Sequence, residues 1–269
     1  MLFNFSSISA DPLAFIKSLL ITLPGVLLAL SIHECAHGWV AERCGDDTAR
    51  YMGRITLNPM KHIDPMGFLC MLLVGFGWAK PVPVNPLKYK NYRADDLKVS
   101  LAGITANLCL FFVCFIAMSA IFIGALSRLD YWSAYLSVAG DETANMFFRS
   151  AYYLSESIIE PAFGKAVSVL YQMIVNCMFI NLSLAVFNLI PLPPLDGYHV
   201  LNDLVLHQDL FAQRRTQQIA GMVLLGLIML GNVSPKLDII SIVIGGVRSG
   251  VIGSLSVLSR IVAQAIGVI

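Results

Sequence analysis

Two histidines and a glutamate fall inside the five-residue run His33-Glu34-Cys35-Ala36-His37, in a stretch that is otherwise almost wholly apolar. On a helix, residues four apart share a face one turn apart, so the two imidazoles converge on one point. Glu34, next to His33, can reach the same point. H-E-x-x-H is the spacing of a zinc site that carries its own general base. Residues 13–40 around it, through ITLPGVLLALSI, are long enough to cross a bilayer as a helix. Each charge placed there costs roughly 3 kcal/mol on insertion scales. Chance would supply the motif about once in six hundred chains of this composition. A polar cluster that merely pins helices together is the plain alternative. Three ionisable groups within one turn of an apolar span favour metal chemistry.

A second polar constellation is Asn188-Leu189-Ile190-Pro191-Leu192-Pro193-Pro194-Leu195-Asp196-Gly197. Three prolines in four residues stop the preceding apolar span and leave Asp196 on non-helical chain. Alone, an Asp-Gly after prolines is a turn. At the membrane depth of the histidine pair, Asp196 can complete a two-His, one-carboxylate site with an open fourth position.

These residues must be positioned by membrane helices. Apolar residues make up 57% of the 269-residue chain and charged residues 13%, about half the share in a soluble domain. An all-α polytopic membrane protein follows, with about four to six transmembrane helices. Spans are expected at 13–42, 99–126 and 165–189, with a shorter, Gly-containing one at 216–230. The tail, 237–269, reads as a further span, a re-entrant pair or an interfacial amphipathic helix. The chain forms a single domain, residues 1–269, with its core at 13–197 and C-terminal membrane or interfacial helices at 216–269. Residues 44–98 carry Arg50, Arg54, Lys61, Lys80, Lys88, Lys90, Arg93 and Lys98. Residues 127–165 carry Asp130, Asp141, Glu142, Glu156 and Glu160 against Arg128, Arg149 and Lys165. By the positive-inside rule the first connection, and the site with it, faces the cytoplasm of a cell membrane. The outward loop is expected to hold a short amphipathic helix. A net charge of +1 gives no reason to invoke nucleic acid. The six cysteines show no metal-knuckle spacing and read as free thiols, with Cys35 a packing residue. The N-terminal apolar stretch carries the motif, so it reads as a retained helix rather than a signal peptide.

The connection after the first span is unusual. Residues 66–78 are apolar but too few to cross as a helix. They lead into Gly75-Phe76-Gly77-Trp78-Ala79-Lys80-Pro81-Val82-Pro83-Val84-Asn85-Pro86, where Pro81 and Pro83 enforce extended chain. Two compatible readings stand open. One is a re-entrant plug; the other is a β-like strand whose free edge takes an extended peptide, at a distance from the metal ligands.

Taken together, H-E-x-x-H, G-x-G-W-A-K-P-V-P-V and N-x-x-P-x-x-P-x-L-D-G resemble the site-2 protease family of intramembrane zinc metalloproteases. The resemblance covers residues 33–197 and implies one Zn²⁺ per chain on His33, His37 and Asp196. It implies Glu34 as general base and Asn188 as the residue that steadies the reacting carbonyl or its oxyanion. The family's G-P-x-x-N appears as Gly103-Ile104-Thr105-Ala106-Asn107, with Ile104 in place of proline. Asn107 is therefore carried over as a substrate contact with an interhelical hydrogen bond as its alternative. Trp78, Lys80, Pro81, Val82, Pro83 and Val84 are the expected docking strand. No room for a PDZ-type insertion is visible, so the chain resembles the family's minimal form. The implied activity is hydrolysis of a peptide bond within or near the transmembrane segment of a membrane-protein substrate in the lipid bilayer. It would serve regulated intramembrane proteolysis or clearance of signal-peptide remnants, and no oligomeric state is implied. The alternative from a different class is a membrane metal or ion transporter, with the His/Glu/Asp cluster as a transit site.

Overall fold

A computed structural model describes residues 11–129, 147–148, 150–207, 213–233 and 237–268. Helix α1, Pro12–Cys44, starts where the Asp11 carboxylate accepts from the N–H groups of Leu13 and Ala14, with Pro12 in the first turn. Its 33 residues reach about 50 Å at 1.5 Å per residue, well beyond the ~30 Å hydrocarbon layer. The H-E-x-x-H motif lies in its last three turns. Helix α2, Pro65–Val74, is a ten-residue apolar helix capped by the Asp64 carboxylate; at about 15 Å it is too short to cross the layer. Helix α3 is Tyr92–Leu126 and α4 is Lys165–Asn188. Helix α5, Asp196–Leu201, is followed by α6, Arg214–Val233, and α7, Ile239–Ala265.

Helices α1, α3 and α4 pack against one another and form the frame. Val26 and Ala29 of α1 meet Ile180 of α4 and Met71 of α2 in one buried cluster. Farther from the motif, Phe111, Phe115, Met118 and Phe122 of α3 meet Tyr171, Val175 and Met178 of α4. Short helical pieces at 151–163 close that end, where the Tyr171 hydroxyl donates to the Ala151 carbonyl. The amphipathic helix expected between 127 and 165 falls partly on residues 130–146 and 149, outside the described residues.

Among the described residues, four helices are long and apolar enough to cross a membrane: α1, α3, α4 and α7. The first three coincide with the expected spans. The C-terminal half reverses the expected emphasis. The apolar part of α6 is too short to join them, whereas the Gly- and Ser-dotted tail forms one 27-residue helix. Ile252 and Ala263 of α7 join the α3–α4 core, and its Ser259 hydroxyl meets that of Ser119 at 3.0 Å. That packing supplies what the tail's own pattern lacks.

Between α2 and α3 the chain is non-helical. Ala79 pairs with Ile63 in an isolated antiparallel bridge, and Lys80 N–H donates to the His62 carbonyl. The β-like re-entrant loop is thus present, pinned along one edge. It can come this close only because Gly67 faces Gly77: a Cβ on Gly77 would sit 2.1 Å from the Gly67 carbonyl oxygen.

Candidate active site

Helix α1 presents His33 and His37 one turn apart, and the turn after α4 delivers Asp196 as the first residue of α5. Asp196 Oδ2 lies 3.3 Å from His33 Nε2 and 3.4 Å from His37 Nε2, and the two Nε2 atoms are 3.0 Å apart. A tetrahedral zinc with ligands at 2.0–2.2 Å has edges of roughly 3.4 Å, so the three donor atoms already outline one face of such a site. Asp196 Oδ2 is buried and takes no hydrogen bond. A buried carboxylate oxygen without a proton donor is suited to a cation. Cys35 is not part of the converging group, and all six cysteines are free thiols.

The ring orientations are set from α3. His37 Nδ1 lies 2.7 Å from the Val99 carbonyl. A carbonyl only accepts, so Nδ1 carries the proton and Nε2 keeps its lone pair for the centre. His33 Nδ1 meets the Asn107 amide at 3.3 Å, where Asn107 is wholly buried. It is the amide nitrogen that faces the ring, while the buried Asn107 Oδ1 has no partner; exchanging the two amide atoms lets Oδ1 accept from Nδ1–H and leaves His33 Nε2 its lone pair, as in His37. Asn107 thus makes the interhelical hydrogen bond. Gly103 lies under both rings: a Cβ there would stand 2.5 Å from His33 Cε1 and from His37 Nε2. Helix α3 can pass beneath the ligands only because this residue has no side chain.

Helix α5 is held in turn. His199 Nδ1 lies 3.1 Å from the buried Asp96 carboxylate on α3, which raises the His199 pKa above the usual imidazole value. Arg93, also on α3, donates to the His207 carbonyl. Two ties therefore fix the segment that begins with Asp196. Neither tie is marked in the sequence, and Gly103 stands out there only as the first residue of the Gly103–Asn107 motif. The only sequence signal was a histidine three residues after Asp196 and an acidic pair opening the second span.

The expected docking strand lies differently from its prediction. Val82 is buried, and its N–H donates to Glu34 Oε2 at 2.7 Å, so it sits at the metal centre rather than away from it. Lys80 N–H is committed to His62, and Pro81 and Pro83 have no N–H to offer. Buried Arg54, one of the positive charges of the first connection, donates to the Lys80 and Pro81 carbonyls at 2.7 and 3.1 Å. The N–H groups of Lys80 and Val82 and the carbonyls of Lys80 and Pro81 are therefore taken by the protein's own groups. Trp78 is exposed beside them and lines a cavity of about 570 Å³ between α1, α2, α4 and α7. The cavity stops one turn short of Glu34, at Leu30, and takes in residues 75–79 rather than 80–84. Asn188 ends α4 with its amide donating to the Leu184 carbonyl.

Past the site, α1 ends at Cys44, and Asp46 holds the end of the strand. Burial opposes ionisation of Asp46, but hydrogen bonds from Thr48, from Asn85 N–H and from Lys88 outweigh it and hold the carboxyl below its usual range.

A membrane helix frame with a His-His-carboxylate centre and an adjacent glutamate defines a zincin-like membrane hydrolase. The chain matches the model of Peptidase family M50 over residues 21–231 and belongs to that family, the site-2 proteases. It is a zinc-dependent metalloendopeptidase and a multi-pass membrane protein. It is 38% identical over 194 residues to the Bacillus subtilis protein named "Putative zinc metalloprotease YwhC", covering 72% of each chain. "Putative zinc metalloprotease Rip2" of Mycolicibacterium smegmatis is 28% identical over 202 residues, 72% of this chain and 62% of that one. Its namesake from Mycobacterium tuberculosis is 26% identical over 197 residues, 72% and 60%. The chain thus spans about six-tenths of the Rip2 proteins. No solved structure matches it significantly. Family membership sets aside the transporter alternative.

Proposed function

We propose that this metalloprotease hydrolyses a peptide bond within or near the transmembrane segment of a membrane-protein substrate. It acts at a single zinc held by His33, His37 and Asp196, facing the cytoplasm. The observation that carries the reading is the convergence of two imidazole nitrogens and an unsatisfied buried carboxylate oxygen within 3.0–3.4 Å of one another. Zinc bound there supplies a Lewis acid and a water of lowered pKa. Glu34, one residue from the first ligand, takes the proton from the attacking water and returns it to the leaving amine. Asn188 uses one of its two amide N–H donors on the Leu184 carbonyl and has the second for the reacting carbonyl. A helical substrate has its carbonyls locked in hydrogen bonds, so it unwinds before attack; Arg54 keeps the strand beside Glu34 in place while this occurs. The charge asymmetry of the connecting loops supports the cytoplasmic orientation.

The test is metal analysis of purified variants. Asp196→Ala should lose zinc on dialysis against a mild chelator under conditions where the wild-type chain retains one ion, because two imidazoles leave the metal half-coordinated. Full zinc retention by Asp196→Ala would remove that residue from the ligand set.

A further inference from the structure

Arg248 is a cation on α7, a helix long and apolar enough to cross a membrane, that no part of the zinc chemistry uses. It lies nine residues beyond Ile239, the start of α7, about 14 Å along a helix. Ile240 packs against the cluster of Leu195, Leu224 and Ile228, and Leu195 precedes Asp196. Arg248 also lies over the ring of Phe179, 4.9 Å from its centroid, and Phe179 is nine residues before the site end of α4. Along both helix axes Arg248 therefore lies about 14 Å from the end nearest the site, a length that falls within a ~30 Å layer. An arginine at that depth is costly unless it has a partner, and a phenylalanine face is a weak one. Among the described residues it has no carboxylate partner.

The guanidinium lines the 570 Å³ cavity, whose size is that of a binding cleft, about 300–1,000 Å³. On α1 the lining runs from Ser18 and Thr22 to Leu30, about 18 Å along the helix, and Glu34 follows one turn later. The cleft is thus elongated along α1 and stops one turn short of Glu34. Its other ionisable lining residues, Asp64 and Asp238, already cap helices at the site end. The unmatched charge at mid-depth is positive.

We propose that this cleft receives the substrate's transmembrane segment and that Arg248 selects segments bearing an Asp or Glu side chain near mid-membrane. The inference rests on the protease reading above. The carboxylate would lie on the far side of the scissile bond, about four residues away if the intervening chain is extended and about nine if it is helical.

The test measures binding separately from cleavage. Zinc-loaded Glu34→Gln protein in nanodiscs is titrated with a fluorescent single-span peptide carrying one Glu, moved through the central positions, and with the matching Gln peptides. At one or two adjacent positions Glu should bind at least tenfold more tightly than Gln. Arg248→Gln should abolish that difference, and Arg248→Glu should transfer the preference to a Lys peptide, with zinc content unchanged in both. An undiminished preference for Glu in Arg248→Gln, or no position that favours Glu, would overturn the proposal. Cleavage of the same peptides by the protein with Glu34 intact is read in parallel. Cleavage without a Glu preference defeats only the selection by Arg248; Glu-selective binding without any cleavage defeats only the protease reading.

Discussion

The main-chain N–H of Val82 lies 2.7 Å from Glu34 Oε2, so the extended segment after α2 is fastened to the glutamate between His33 and His37. The two residues are 48 positions apart, and what joins them is a backbone group. The strand therefore does more than line the site: it fixes the direction of the carboxylate that must exchange a proton.

Substitutions at Val82 separate that backbone role from packing. Val82→Pro deletes the donor and completes a Pro-Pro-Pro run, so kcat should fall tenfold or more while zinc content holds. Val82→Ala keeps the donor and trims two buried methyls, with kcat within about threefold of wild type and a stability loss of about 1–2 kcal/mol. Steady-state cleavage with metal analysis checks both. Equal kcat losses in the two variants would assign the effect to side-chain packing.

Gly103 is predicted to be intolerant of even one methyl. A Cβ at 2.5 Å from both imidazoles must displace a ligand ring, and misplaced ligands lose about 10–100-fold in metal affinity. Gly103→Ala should therefore bind zinc at least tenfold more weakly in competition with a chelator. Gly124→Ala on the same helix, whose new Cβ would meet Phe163 at an ordinary 3.6 Å, serves as the control and should match wild type. Equal zinc affinity in both would mean that α3 can move away from the rings.

Asp46 links the end of α1 to Asn85, where the strand leaves the site. Its folded pKa is lowered, so its stabilising contribution is fully present above the ordinary carboxylate value of about 4 and is lost as pH falls through the folded value. Asp46→Asn should unfold at a lower temperature than wild type at pH 7, and the gap should shrink toward pH 3. Thermal unfolding in detergent at the two pH values checks this. A gap independent of pH would show that the charge on Asp46 contributes nothing.

The parts legible in the sequence were those with a side-chain signature. His33, Glu34 and His37 announce themselves by helical spacing, Asp196 by a proline-broken stretch at matching depth, and three spans by unbroken apolar runs. What escaped was carried by backbone or by absence. Val82 acts through its N–H, Gly103 through the atom it lacks, and Val99 through its carbonyl. Arg54 looked like one more positive charge in a cytoplasmic loop, yet it is buried against two strand carbonyls. The tail helix was left undecided because its glycines and serines weaken the hydropathy signal. Only its packing against α3 and α4 makes it one long element.

The account turns on a glutamate that moves a proton beside a metal held by other residues. The most direct measurement is cleavage of a single-span model substrate by wild-type and Glu34→Gln proteins, with zinc determined on the same samples. The variant keeps the size and hydrogen-bonding reach of the side chain but cannot accept the proton. The predicted result is a fall in cleavage of about a thousandfold or more, in keeping with loss of a general base, at one zinc per chain in both proteins. Cleavage by Glu34→Gln at near wild-type rate, with zinc bound, would contradict the account.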